Sequence, residues 1–203
     1  MMCGLFGFIN YSGGNIRGLE DLTESLAKQS AIRGTDATGI AFCQQNGICV
    51  SKEAKPANQF KIRHKDNIVS LIGHTRHGTQ GSEKKNFNNH PFIGHVGREK
   101  FALAHNGVLA SSESQRKKLG LPKTKIETDS YQAVQLIEKK NRLNFGSLKY
   151  MAETVTGSFS FTILDDKNNI YFVKGDSPLT ICISQSLSFM CMRVRTKFYI
   201  GHW

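Results

Sequence analysis

Strand-like segments lie at both ends of this chain, and helical spacing lies between them. From Ser158 the order Ser-Phe-Ser-Phe-Thr-Ile alternates polar with apolar as far as Ile163, the mark of a half-buried strand. Residues 165–169 are polar and turn, residues 170–173 return, and Leu179, Ile181 and Ile183 alternate with Thr180, Cys182 and Ser184. At the other end, residues 3–9 carry Leu5, Phe6, Phe8 and Ile9, with Gly4 and Gly7 where a second backbone can come close. Leu19, Leu22 and Leu26 recur at helical spacing, in a helix that Gly34 should end. Thr128 is placed to cap a helix carrying Tyr131, Val134 and Ile137, and Asn144 to cap one carrying Phe145, Leu148, Ala152 and Val155. No βαβ rhythm runs through the chain. The expected architecture is an α+β layered domain with antiparallel sheets.

The remaining segments are expected as follows. Residues 40–42 and 48–51 form a hairpin around 44–47. Residues 56–65 form a short basic helix or a loop. A strand over 68–72 runs into Gly73-His74-Thr75-Arg76, a polar loop covers 82–89, and a strand over 101–104 feeds His105-Asn106-Gly107. Residues 111–119 form a helix stopped by Gly120 and Pro122.

With 203 residues, 39% of them hydrophobic and 21% charged, the chain can bury a core and is not disordered. It reads as a single domain over 1–203 without repeat or linker. No apolar run approaches the roughly 20 residues of a membrane span. The start has no basic segment ahead of a long apolar one, so no signal peptide is expected. The cysteines, Cys3, Cys43, Cys49, Cys182 and Cys191, form no C-x-x-C pair. A disulfide framework is therefore not indicated, and a reduced, cytoplasmic setting is expected. The net charge of +11 comes from dispersed lysines and arginines without interleaved aromatics. It reads as solubility rather than as a nucleic-acid platform.

Cys3 constrains the chemistry. Once Met1 and Met2 are removed, it carries a thiol and a free α-amine. Such an amine has a pKa of roughly 7.7–8.0, so near neutral pH a useful fraction can accept the thiol proton. Nucleophile and base then share one residue, as in the Thr–amine pair. Taken alone, the stretch reads equally as an edge strand opened by a small residue.

Six segments follow one another in order. They are Cys-Gly-x-Phe-Gly from Cys3, Arg-Gly-x-Asp-x-x-Gly-Ile from Arg33, His-Thr-Arg ending at Arg76, Asn-x-His-Pro from Asn88, His-Asn-Gly from His105, and Glu-Thr-Asp-Ser from Glu127. In this order they resemble the class II glutamine amidotransferase domain of the N-terminal-nucleophile (Ntn) hydrolases, and within it the glutaminase half of glucosamine-6-phosphate synthases. The resemblance runs from Cys3 to about Leu187. It implies a four-layer αββα sandwich of two antiparallel sheets, and hydrolysis of the L-glutamine side-chain amide through a γ-glutamyl thioester.

The resemblance also implies roles. Cys3 is the nucleophile, and Asn106 and Gly107 supply oxyanion donors. Arg76 clamps the substrate α-carboxylate and Asp129 takes its α-ammonium, while Thr79 and His90 line the pocket. No cofactor and no metal are implied. The synthase half is missing from this chain, so the ammonia acceptor is expected on a separate subunit. His77 stands where several relatives have an aromatic, and Gln80 where the synthases have histidine.

Other readings of the same residues remain open here. Asn106-Gly107 alone is a type I′ turn signal, and Asp129 alone is a first-turn helix acid. Arg33 and Asp36 read as a salt-bridged turn, and His74 and His105 as loop hydrogen-bonders. His74, His77, His90, His95 and His105 fall within 32 residues and raise a zinc reading. A glutamine-binding relative without activity is a further alternative. Beyond about residue 190 the expected strand pattern fails, and one codon choice read a base earlier restores a family-like Tyr-Ala-Ser continuation. The sequence thus raises a frameshift or truncation there.

Overall fold

The computed structural model describes residues 3–12, 17–44, 47–62, 68–111, 113–185 and 188–193. Among them are ten strands: β1 (Gly4–Asn10), β2 (Ala37–Gln44), β3 (Gly47–Glu53), β4 (Ser70–Arg76), β5 (Phe92–Val96), β6 (Glu99–Leu109), β7 (Gly157–Asp165), β8 (Ile170–Lys174), β9 (Thr180–Ser184) and β10 (Phe189–Arg193). The helices are α1 (Leu19–Ser30), α2 (Glu113–Lys118), α3 (Tyr131–Lys139) and α4 (Phe145–Thr154). One sheet has the order β3-β2-β4-β1-β10-β9 and the other β5-β6-β7-β8. Every described strand pair is antiparallel.

Three apolar layers hold four layers of structure together. Phe6, Phe8, Leu19, Leu26, Ile40 and Leu71 pack between α1 and the six-stranded sheet. Leu5, Ala41, Ile72, Ala102, Ala104 and Leu164 fill the space between the sheets, where the small alanines let the backbones approach. Phe101, Leu103, Phe161, Ile163, Val134, Ile137 and Met151 join the four-stranded sheet to α3 and α4. The result is the expected αββα sandwich. Its central strands are buried on both faces. This is why β7 is covered throughout its second half rather than half-buried as its alternation suggested.

Several local expectations are corrected. The strand into Arg76 runs through the His-Thr-Arg segment, and β6 runs through His105-Asn106-Gly107, so Asn106-Gly107 is strand and not turn. β5 was not foreseen, because five residues between Pro91 and Gly97 give too little alternation to read. Of residues 56–65, the described part, 56–62, is loop, the second of the two expected forms, and its Ala57, Phe60 and Ile62 are buried in the core beneath α1. α1 ends at Ser30, ahead of Gly34. Thr128 does not cap α3: its hydroxyl donates to the Asn88 carbonyl at 2.8 Å. Asn144 does cap α4, in a reciprocal box with Ser147. The suspected change of reading frame falls mainly on residues 194–203, outside the described residues. Cys191 to Arg193 complete β10, paired to β1 on one side and β9 on the other.

Gly39 shows how tightly the loop around His90 is held against β2. A Cβ at Gly39 would stand 2.1 Å from the His90 carbonyl oxygen and 2.7 Å from Lys52 Cβ. Gly39→Ala is expected to cost roughly 1–3 kcal/mol by overpacking, read as a lower urea midpoint. An unchanged midpoint would show that the His90 segment moves independently of β2.

Candidate active site

Cys3 stands at the head of β1, one residue before the ladder with β4 begins at Gly4 opposite Thr75. The start of β1 is therefore beside the end of β4. The His77 N–H donates to Cys3 Sγ at 3.4 Å, and Cys3 Sγ lies 3.5 Å from the His77 carbonyl oxygen. Arg33 Nε donates to the Cys3 carbonyl at 2.9 Å. Burial pushes the thiol above its ordinary pKa, while the His77 hydrogen bond and the Arg76 charge pull it back down. Asp129 and Arg33 also act on this thiol electrostatically, so both charges of the expected substrate clamp belong to its surroundings.

Arg76 ends β4 and is held by neutral oxygens. Its guanidinium donates to Asn89 Oδ1 at 2.7 Å and to the carbonyls of Gln80 and Gly81 at 2.7 and 2.6 Å. Among the described residues no carboxylate pairs with it. Asp129 is buried just before α3. Its Oδ2 accepts from the Leu109 N–H at 2.6 Å, and its Oδ1 from the Ser130 N–H at 2.9 Å. Two backbone N–H groups thus fix a carboxylate that has no cationic partner among the described ion pairs.

Asn106 lies on β6, in the sheet that faces β1 and β4. It is fully buried, and neither its Oδ1 nor its Nδ2 has a hydrogen-bond partner. A buried amide left unsatisfied costs about 1–3 kcal/mol, so such atoms are rare. Gly107 follows with φ +144°, and a Cβ there would sit 2.0 Å from the Ser158 carbonyl oxygen. Only glycine fits that backbone. Thr79 lies on the exposed loop beyond β4, next to the Gln80 carbonyl that holds Arg76.

His90 is buried in a stack. Its ring centroid is 4.1 Å from that of His74, 4.4 Å from that of Phe92 and 6.5 Å from that of His105. Both His90 nitrogens lack partners. His74 Nε2 bonds the His105 carbonyl at 3.0 Å, and His105 Nδ1 bonds Ser130 Oγ at 2.7 Å, next to Asp129. Burial lowers the pKa of all three rings: His74 to about 3, His105 to about 4, and His90 well below the usual histidine value. The rings are neutral packing groups under the site. Among the described residues no cluster of three or more histidine, cysteine or acidic side chains is arranged to hold a metal ion. The zinc reading of the five histidines therefore has no geometry behind it.

Sequence reasoning passed over four contributors. Asn89 orients Arg76. Asn88 ties the loop to the segment before Asp129: its Nδ2 donates to the Ser82 carbonyl and to Glu127 Oε2, and its Oδ1 accepts from the Glu127 N–H. Lys52, half-buried and with its pKa lowered to about 8 by desolvation, donates to the carbonyls of Asn89 and Pro91 at 2.5 and 3.1 Å and so clamps the His90 turn. Asp36 is not salt-bridged to Arg33 as expected. Its Oδ2 accepts from the Gly78 N–H at 2.7 Å and lies 3.7 Å from His77 Nδ1, pinning the loop that touches the thiol. The Asn-x-His-Pro spacing was a signal for the first two; nothing in the sequence marked Lys52.

The αββα sandwich thus holds a thiol at the head of a central strand, with a guanidinium that no carboxylate pairs among the described residues and a buried carboxylate in its surroundings. The chain belongs to the class-II glutamine amidotransferases, whose family model matches residues 2–170. Among curated relatives, the glutamine–fructose-6-phosphate aminotransferase (isomerizing) of Geobacillus kaustophilus is 33% identical over 191 residues, covering 89% of this chain and 30% of that protein. The enzyme of the same name from Sulfurisphaera tokodaii is 29% identical over 199 residues, covering 93% and 33%. The chain thus spans about a third of the length of these relatives. Among solved structures, the glutamine phosphoribosylpyrophosphate amidotransferase of B. subtilis superposes with a TM-score of 0.65 at 18% identity, over 95% of this chain and 42% of the other. That likeness shows the fold. No helix among the described residues is long and apolar enough to cross a membrane.

The histidine stack predicts an acid limit to stability. Each ring has a lower pKa folded than unfolded, where it is near 6.5. Below about pH 6.5 the unfolded chain therefore binds more protons, and stability falls with falling pH until the folded values are reached. Each ring contributes up to about 1.4 kcal/mol per pH unit. Urea midpoints measured from pH 7 to pH 4 should drop steeply, and His90→Phe should flatten the drop. A midpoint independent of pH over that range would mean that the rings are not held neutral.

Proposed function

We propose that this domain hydrolyses the side-chain amide of L-glutamine at Cys3 and releases ammonia to an acceptor carried by a separate synthase subunit. The observation that carries this reading is the pairing of opposite uncompensated charges beside one thiol. Free glutamine is a zwitterion. The Arg76 guanidinium, held by Asn89, Gln80 and Gly81, offers its charge and its remaining N–H donors to the α-carboxylate. Asp129, fixed by Leu109 and Ser130, accepts from the α-ammonium. Thr79 and His90 belong to the segments that close around the bound amino acid.

The steps follow from these positions. The α-amine of Cys3 takes the thiol proton, and the sulfur attacks the amide carbon. Negative charge develops on the amide oxygen, where the Asn106 Nδ2 and the Gly107 N–H donate. One such donor is worth roughly 2.7–4 kcal/mol in the transition state. The ammonium gives its proton to the departing nitrogen, ammonia leaves, and a thioester remains on Cys3. Water, deprotonated by the same amine, then hydrolyses the thioester to glutamate. A reduced cytoplasmic setting suits a catalytic thiol of this kind.

A glutaminase assay on protein whose N-terminus has been determined by mass tests the reading. Cys3→Ala should abolish ammonia release without unfolding the domain. Asn106→Ala should lower kcat by about 10²–10³-fold. Arg76→Ala and Asp129→Asn should chiefly raise KM, because they act away from the scissile amide. Full activity in Cys3→Ala would end the proposal, and glutamine binding without ammonia release would mark a silent binding domain instead.

The role of the α-amine has its own test. A chain that keeps Met1 and Met2 has an acylated nitrogen at Cys3, which is no base. Protein translated from Met2 should mature to an N-terminal Cys3 and be active, whereas protein retaining both methionines should be inactive. Equal ammonia release from a chain shown by intact mass to keep both residues excludes the amine as base.

A further inference from the structure

Outside the glutamine site, two cysteines face each other. β9 and β10 run antiparallel with Cys182 directly opposite Cys191. Directly opposed residues of such a ladder project to the same face, with Cα atoms about 4.5 or 5.5 Å apart depending on the hydrogen-bond pattern. A disulfide accommodates Cα separations of roughly 4.4–6.8 Å, a range that includes directly opposed strand residues. The side chains are already in contact, since the two thiols hydrogen-bond one another.

The other cysteines are differently engaged. Cys43 is buried and donates to the Asp165 carbonyl at 3.0 Å, Cys49 donates to Gln44 Oε1 at 3.5 Å, and Cys3 lies against His77.

We propose that Cys182 and Cys191 form a reversible redox site, which closes to a cross-strand disulfide by exchange with a small-molecule disulfide. Exposure sets the order of events. Cys182 is exposed and Cys191 is half-buried. The Cys182 thiolate attacks one sulfur of the small disulfide, forming a mixed disulfide and releasing one small thiolate. The Cys191 thiolate then attacks the Cys182 sulfur, forming the protein disulfide and releasing the second. Two cysteine thiols are oxidised, one small disulfide is reduced to two thiols, and the two cysteine protons end on the released thiols. Burial pushes the Cys191 thiol up, which makes the second step the slower one at neutral pH.

The bond would act on a specific element. β9 is the outermost strand of its sheet and carries the exposed Ile181 and Ile183. β10 pairs on its other side with β1, where Phe8 is opposite Cys191. Closure fastens the edge strand to the strand that pairs with β1, at whose head Cys3 stands.

The test uses the full chain exposed to glutathione disulfide at mildly alkaline pH. The tryptic peptide 175–193 contains both cysteines, because no lysine or arginine lies between them. It should appear about 2 Da lighter, without a glutathione adduct, and cleavage after Phe189 should leave its two parts joined until reductant is added. Oxidation should raise Tm by a few degrees, reversibly, and Cys182→Ser should abolish both the joined peptide and the rise. A stable glutathione adduct on Cys182, or a link from either cysteine to Cys3, Cys43 or Cys49, would overturn the pairing. A joined peptide with no change in Tm, or an equal rise in Cys182→Ser, would overturn the fastening of the edge.

Discussion

The pairing of β1 with β4 decides where everything else can stand. It places Gly4 opposite Thr75 and leaves Cys3, one residue outside the ladder, against the backbone of His77. The approach needs glycine: a Cβ on Gly4 would lie 2.5 Å from Thr75 Oγ1 and 2.8 Å from the Ser30 carbonyl, two atoms that hydrogen-bond each other at 2.9 Å. That bond joins β4 to the end of α1 directly over β1. A side chain at position 4 would part the helix from the sheet or push β1 off β4. β4 runs one residue past that ladder to Arg76, so the thiol and the cation, each one step beyond the Gly4–Thr75 pair, are fixed by one register, and a slip of one residue would separate them.

Around that register the fold leaves a particular set of polar groups unspent. Most buried polar atoms here are satisfied: Asn88 and Asn89 use both ends of their amides, and Asp165 collects hydrogen bonds from Lys167, Asn169 and Tyr171. Asn106 is not satisfied at either end, and Arg76 meets only neutral oxygens. Burying an amide and a guanidinium in this way is unfavourable unless something else completes them. An arginine without a carboxylate partner and a buried amide without a hydrogen-bond partner are complementary to the zwitterionic amide proposed as substrate. The rigidity of the frame keeps these groups from satisfying one another: Lys52, Asn88 and Asn89 fasten the loop on one side, and Asp36 fastens it on the other.

Much of this was legible in the residues, and the failures have common physical causes. The layer architecture followed from strand-like segments at both ends with helical spacing between, and the order of six short motifs pointed to the family, which implies Cys3, Arg76, Asn106, Gly107 and Asp129 as its site. The Asn144 cap was readable because a capping box is local. What was missed is non-local. β5 is too short to show a period, and it is ordered by pairing with β6 rather than by its own pattern. Asn106-Gly107 carries a strong turn signal, yet β7 pairs along its whole length and overrides it. Thr128 looked like a cap because its partner, the Asn88 carbonyl, lies 40 positions away. Lys52 reads as a surface lysine until β3 folds it over the His90 turn. Arg33 and Asp36 suggested a pair because they are close in sequence, whereas the fold turns one to the Cys3 carbonyl and the other to Gly78.

Burial at Cys3 also bears on why an acid and a base in one residue suit this position. Desolvation penalises the thiolate and raises the thiol pKa. A cysteine nucleophile that relied on standing thiolate would be poorly served here, since the His77 N–H and the Arg76 charge only partly offset that penalty. Desolvation acts in the opposite direction on an amine, because there the charged form is the protonated one. On the proposed mechanism, surroundings that disfavour a thiolate would also disfavour an ammonium, and a thiol beside a free amine is the uncharged pair that a desolvated site tolerates best. In the proposed reaction the thiol proton passes to the amine, and the negative charge moves from sulfur to the amide oxygen as the sulfur bonds to carbon. That is where a fully buried amide without a partner and a glycine N–H on the facing sheet have something to bind.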